Sequence, residues 1–264
     1  MKSAIDKYAT LDSSIHRWDP RIKILSLLFV IFIIGTIKTL ETALAAFILA
    51  VILAAFSGLP FDFIFKRLKI VLFFLLPFFL VLPFSITGGE TYHLYYLNAS
   101  STGLRLAATI FLRGVAIVTL VFPMLSTSQF EISLKALERL KVPASFIQIL
   151  MFSYRYIFVF SDEMSRMNTA LTSRGFKKKF NLATFKILGN FVGVLLLRSF
   201  ERAERVLYAM QSRGYKGNLV TRFDYQWQTK DFIKGGMVLI SGLFLLLLDR
   251  FGMNLFHAVL KLLH

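Results

Sequence analysis

The chain has 264 residues, 56% of them hydrophobic, with 29 phenylalanines and a mean hydropathy of +0.65, whereas soluble domains sit nearer about 45–50% apolar; a soluble fold is excluded. The net charge of +16, from 31 Lys and Arg against 15 Asp and Glu, alternates with apolar runs, which is the positive-inside pattern of a membrane protein and argues against a nucleic-acid partner. The absence of cysteine excludes disulfides and thiolate metal sites.

The first 20 residues are polar, carry Asp6, Lys7, Asp12, Arg17 and Asp19, and do not read as a cleavable signal peptide. A helix needs roughly 20 apolar residues to cross a hydrocarbon core of about 30 Å. Predicted spans run over about 22–37, 40–59, 68–86 and 104–126, with a fifth at about 232–251. Pro77 and Pro83 fall in the third and Pro123 in the fourth, which membrane helices tolerate where neighbours satisfy the freed carbonyls. Lys2, Lys7, Arg17, Arg21 and Lys23 lie around the start of the first span, and Lys66, Arg67 and Lys69 lie in the loop at 61–69. Residues 87–103 hold no Lys or Arg. The charges therefore put the N-terminus and the second loop in the cytoplasm and residues 87–103 outside.

Residues 127–230 contain two further apolar runs, 146–160 and 184–197, interrupted by Arg155 and Lys186. If the first crossed outward, Arg166, Arg174, Lys177, Lys178 and Lys179 would lie outside, against the charge rule. The runs read instead as parts of two long helices, about 144–174 and 183–213. Their apolar halves lie in or on the membrane surface and their charged halves reach into the cytoplasm. A short amphipathic helix at about 129–141 precedes them, and Pro143 suits the start of the first long helix.

The two long helices end alike. Residues 165–176 end in Ser173-Arg174-Gly175-Phe176, and residues 204–215 end in Ser212-Arg213-Gly214-Tyr215. Upstream, Arg166 and Ala170 stand where Arg205 and Ala209 stand in the second copy. The i, i+4, i+8 spacing makes each trio one helical stripe. A single Ser-Arg-Gly reads as a helix stop, with Arg favouring the negative end of the helix dipole and Gly supplying a left-handed cap. Capping does not require the matched upstream Arg and Ala. The duplicated pattern therefore reads as docking: arginine offers a rigid fork of donors for carboxylates, and alanine leaves room for a partner surface.

Arg113 lies midway along the fourth span, where an arginine needs a partner or a polar cavity. The four early spans offer no central Asp or Glu, leaving a hydrogen bond to helix carbonyls or a place at a subunit interface. Asp162, Glu163, Glu201 and Glu204 are expected to form i, i+4 pairs with Arg166 and Arg205. The four histidines, His16, His93, His257 and His264, lack metal-ligand spacing. There is no Gly-x-x-x-x-Gly-Lys loop for ATP and no nucleophile–base pattern. The reading is a non-catalytic chain with no cofactor and no metal.

The paired Ser-Arg-Gly ends after four spans resemble the paired Ala-Arg-Gly motifs of the T component of energy-coupling factor transporters, the EcfT/CbiQ family, with Ser173 and Ser212 in place of the alanines. Asp19-Pro20-Arg21-Ile22-Lys23, Thr127 before the short helix, Val142-Pro143 and Tyr154-Arg155-Tyr156 extend the likeness over nearly the whole chain. Ile5-Asp6-Lys7-Tyr8-Ala9 resembles the cobalt/nickel branch, CbiQ or NikQ. The resemblance implies a complex with two ABC-type ATPases below and a substrate-binding S component in the bilayer. Ser173, Arg174 and Gly175 would then dock one ATPase, and Ser212, Arg213 and Gly214 the other.

The expected architecture is an all-α membrane protein of about five transmembrane helices plus a cytoplasmic coupling domain of one short and two long crossing helices. Its expected divisions are 1–126 for the arm and first four spans, 127–230 for the coupling domain and 231–264 for the last span and tail. The resemblance implies a multi-pass protein of the inner or plasma membrane that couples ATP-driven motion to cobalt or nickel uptake. A vitamin importer of the same kind is the alternative. From another class stands a lone carrier, channel or membrane enzyme, which would need midplane polar groups or a catalytic cluster.

Overall fold

The structure, a computed structural model, describes residues 9, 11, 13–86, 91–94, 97–177, 179–217 and 228–262. Residues 5–8 of the opening motif, Lys2, Asp12, residues 87–90, Lys178 and His264 lie outside the described residues, as do the side chains of His93 and His257. Among the described residues there are eight helices: α1 Pro20–Thr36, α2 Leu40–Phe56, α3 Phe61–Ser85, α4 Ser101–Ser126, α5 Phe130–Arg139, α6 Ala144–Ser173, α7 Leu182–Ser212 and α8 Thr229–Leu262. Between α3 and α4 lies a short antiparallel hairpin, β1 Thr91–Leu94 with β2 Leu97–Ser100, in the register Thr91 to Ser100 and Leu94 to Leu97. The all-helical expectation holds apart from this hairpin.

The chain forms two compact units, residues 1–136 with 224–264 and residues 137–223. In the first unit, α2 and α3 pack on α4, and α1 packs on α8 and α4. Its core joins Trp18, Leu27, Val30 and Ile34 to Ala43, Ala46 and Ala50 of α2, Leu120 of α4 and Leu245 of α8. The alanines form one stripe of small side chains, which lets helix backbones approach closely where lipid offers no hydrophobic drive between helices. Gly242 of α8 does the same against α1: a Cβ there would sit 2.8 Å from Val30 Cγ2. The opposite case is α3, whose Phe61, Phe65, Phe73 and Phe74 are all more than two-thirds exposed, as suits a helix facing lipid.

α1 starts at Pro20 because Asp19 caps it, accepting from Arg21 N at 2.9 Å, with proline at the first position. Lys23, fully buried, donates from Nζ to Thr127 Oγ1 at 2.8 Å and to Ser128 Oγ. Thr127 Oγ1 in turn donates to Pro123 O at 2.6 Å. The Asp-Pro-Arg-Ile-Lys segment and Thr127, separate stretches of the sequence, thus meet at the α4–α5 junction.

The start of α3 differs from the sequence reading, as does the end of α8, which runs to Leu262 where the fifth span was expected to stop at about 251. The segment 61–69, read as a loop for its Lys66, Arg67 and Lys69, is the first two turns of α3. Lysine and arginine are good helix formers and lay apolar stems along the helix surface; Arg67 sits 4.6 Å over the Phe63 ring.

In the second unit α6 and α7 cross. Phe152, Tyr156 and Phe160 of α6 face Arg202, Val206 and Met210 of α7. Met167 and Leu171 face Ile187 and Val194. The N-terminal half of each helix therefore lies against the C-terminal half of the other. By length and apolarity α3, α4, α6, α7 and α8 are each sufficient to cross a membrane. α6 and α7 nonetheless leave Phe146, Ile149, Ile157, Leu196, Leu197 and Phe200 more than half exposed.

Candidate functional site

The site is the pair of ends of α6 and α7. At the first, Gly175 N donates to Thr172 O at 3.0 Å and Phe176 N to Leu171 O at 3.1 Å. At the second, Gly214 N donates to Gln211 O at 2.9 Å and Tyr215 N to Met210 O at 3.0 Å. Both are complete Schellman motifs, with an apolar residue before and an aromatic after the turn. Gly175 and Gly214 have φ of +80° and +86°, values that favour glycine. Arg174 and Arg213 occupy the cap position with matching dihedrals, φ −87°, ψ 14° and φ −94°, ψ 12°.

Both arginines are exposed, and among the described residues neither guanidinium has a hydrogen bond or ion pair. The turns after both helices are closed by backbone bonds, so the caps leave the arginine heads unused. Ser173 is exposed, and Ser212 Oγ donates back to Tyr208 O at 2.9 Å. Upstream, Arg166, Ala170, Arg205 and Ala209 are all exposed. Arg174 and Ala170 line a groove of about 390 Å³ between α6 and α7, with Phe191 and Asn190 opposite. A second groove, of about 350 Å³, is closed by Met210 and Tyr215. Each end thus lies beside a groove built from both helices.

The carboxylates pair differently from the expectation. Arg205 meets Glu201 at 3.9 Å, as the i, i+4 spacing implies. Glu163, expected to serve Arg166, instead pairs across the crossing with Arg198 of α7. Arg198 is the nearer cation once the helices cross, and it ties them at mid-length. Tyr215 Oη donates to Gln148 Oε1 at 2.9 Å, and Gln148 Nε2 donates to Gly217 O at 3.2 Å. Sequence reading missed both contacts; the only signal for the first was the tyrosine at 215 where the other end has Phe176.

Arg113 belongs to the other unit. Its Nη1 donates to Gly35 O at 3.1 Å and Ile37 O at 3.2 Å, at the carbonyl end of α1. The next residues are held by Asp249 of α8, whose Oδ1 accepts from Lys38 N at 3.1 Å, Thr39 N at 3.0 Å, Thr39 Oγ1 at 2.9 Å and Thr42 Oγ1 at 2.9 Å. A cation on the C-terminus of α1 and an anion on the N-terminus of α2 follow the two helix dipoles. Asp249 was not a sequence candidate. Among the described residues there is no group of three or more His, Asp or Glu able to hold a metal.

A family model described as CbiQ, cobalt transport protein, matches residues 12–223. The chain is 32% identical over 258 residues to the energy-coupling factor transporter transmembrane protein EcfT of Streptococcus equi subsp. equi, covering 92% of this chain and 96% of the relative. It is 31% identical to the protein of the same name from Macrococcus caseolyticus, covering 87% and 92%. A third, from Thermanaerovibrio acidaminovorans, is 30% identical, covering 94% and 97%. A multi-pass helical chain with two matched arginine-bearing helix ends, similar along nearly its whole length to these proteins, belongs to the CbiQ/EcfT family, the transmembrane T components of energy-coupling factor transporters.

Proposed function

We propose that this chain couples two cytoplasmic ABC-type ATPases to a substrate-binding S component in the plasma membrane, with Arg174 docked on one ATPase and Arg213 on the other. One observation carries the reading: two helix ends with matching cap dihedrals complete their own capping and still present an exposed guanidinium each, unpaired among the described residues. Ser173, Gly175, Ser212 and Gly214 keep the surroundings small, and Arg166, Ala170, Arg205 and Ala209 continue the contact stripe. Arg113 acts inside the membrane unit as a structural residue. The chain itself carries no ATP loop, so hydrolysis belongs to the partners.

α6 and α7 work as levers. Arg174 and Arg213 lie roughly 16 Å and 22 Å along their helices from the Glu163–Arg198 tie, at ~1.5 Å per residue. Closure of the ATPase pair draws the two ends together, and the apolar halves shift the surface on which the S component rests. The exposed apolar side chains of α6 and α7 supply that surface. The charge map places the N-terminus and the coupling domain, residues 127–230, in the cytoplasm. Cobalt or nickel is the proposed cargo, supported by the description of the matching family model; the relatives' names carry no metal, and a vitamin S component is the second reading.

The test replaces both arginines, Arg174→Glu and Arg213→Glu, and measures ATPase co-purification and uptake. Loss of both is expected, since breaking a buried charged pair at an interface costs about 2–5 kcal/mol. Unchanged complex and uptake would sink the docking claim. Metal analysis of the co-purified S component decides the cargo.

A further inference from the structure

The loop from α6 to α7 and the first turn of α7 display the two most exposed large apolar side chains among the described residues, Phe180 at 101% and Leu182 at 88%. Phe185 is 59% exposed, and its ring meets that of Phe180 edge to face, centroids 6.3 Å apart. The three make one apolar patch. Asn181 fixes its display by capping α7, accepting from Thr184 N at 2.8 Å. Lys177, Lys179 and Lys186, on the same stretch of chain, are all exposed. None of residues 164–200 is Asp or Glu, whereas seven are Lys or Arg.

Exposed aromatics among uncompensated lysines suit one kind of partner. An apolar protein surface would satisfy Phe180, Leu182 and Phe185 and leave the lysines without counter-charge. An anionic bilayer interface satisfies both: apolar groups enter at the headgroup–acyl boundary and lysines meet lipid phosphates. We propose that the α6–α7 loop inserts into an anionic lipid surface, with Phe180, Leu182 and Phe185 at the acyl boundary and Lys177, Lys179 and Lys186 on headgroup phosphates. This rests on the reading above only in placing the loop on the cytoplasmic side, where the leaflet is negative.

The chain has no cysteine, so Ala183→Cys, at an exposed position beside the patch, gives one labelling site. The complete complex carries an environment-sensitive fluorophore there, in nanodiscs of phosphatidylcholine alone or mixed with phosphatidylglycerol, with a nitroxide quencher on the lipid. Quenching is expected in the anionic discs and not in the zwitterionic ones. Lys177→Gln and Lys179→Gln should each lower the inserted-to-exposed ratio about fivefold, with ATPase co-purification unchanged. A label exposed to water in both lipids overturns the proposal. So does protection that follows the S component and ignores lipid charge, which would assign the patch to a protein surface. Failure of the arginine test with lipid-dependent quenching intact would remove the docking reading alone.

Discussion

Tyr215 Oη lies 2.9 Å from Gln148 Oε1, a hydrogen bond that fastens the end of α7 to the second turn of α6. The matching residue after α6 is Phe176, which has no hydroxyl. Two ends with the same backbone cap therefore differ in how firmly they are held. Tyr215→Phe should remove about 1 kcal/mol of local stability. Amide hydrogen exchange should quicken about fivefold over residues 210–217 and stay unchanged over 171–176. Equal quickening at both ends would mean that the bond does not set the asymmetry.

The three left-handed residues after α5, α6 and α7 offer an internal comparison. Gly175 and Gly214 have φ of +80° and +86°, and Lys141, at the same place after α5, has φ +68°. Lys141 N donates to Glu138 O at 3.1 Å and Val142 N to Leu137 O at 3.3 Å, the same double bond pattern. Gly175→Ala and Gly214→Ala should each cost about 1–2 kcal/mol, and Lys141→Gly should gain up to about 1 kcal/mol. Thermal unfolding of the detergent-solubilised chain reads both signs. A destabilising Lys141→Gly would indicate a contact of the lysine side chain that outweighs backbone strain.

Arg113 and Asp249 hold one turn from its two sides. Asp249→Ala leaves two backbone donors and two hydroxyls without their carboxylate, and Arg113→Met leaves the Gly35 and Ile37 carbonyls without their cation. Each should destabilise by about 1–3 kcal/mol. Because both act on residues 35–42, the double variant should lose less than the sum, by about 0.5 kcal/mol or more. Strict additivity in thermal unfolding would show that the two anchors are independent.

Local signals carried much of this fold. Pro143 and the Ser-Arg-Gly tripeptides mark the limits of α6 and α7 to within one residue of the structure, because proline at a start and glycine at a stop act on the backbone directly. The two arginine-bearing helix ends were legible for the same reason: each sits at a helix stop, and the pattern occurs twice. What was not legible depends on chain crossing. Asp249 reaches Thr39 across 210 residues, and Glu163 chooses Arg198 over Arg166 only once α6 and α7 cross. The start of α3 was hidden by its lysines, which read as loop charge and fold as snorkelling helix surface. The hairpin strands Thr91–Leu94 and Leu97–Ser100 are four residues each, too short for an alternation to announce them.

If the two helix ends dock as proposed, Arg174 and Arg213 meet separate ATPases. With no native cysteine, Ser173→Cys and Ser212→Cys each accept a short photo-crosslinker beside one arginine, in the assembled transporter. Each is expected to capture an ATPase subunit at close to one per chain, and a chain carrying both should capture two ATPase subunits at once. Capture of lipid or of the S component from both positions, with no ATPase, would contradict the account.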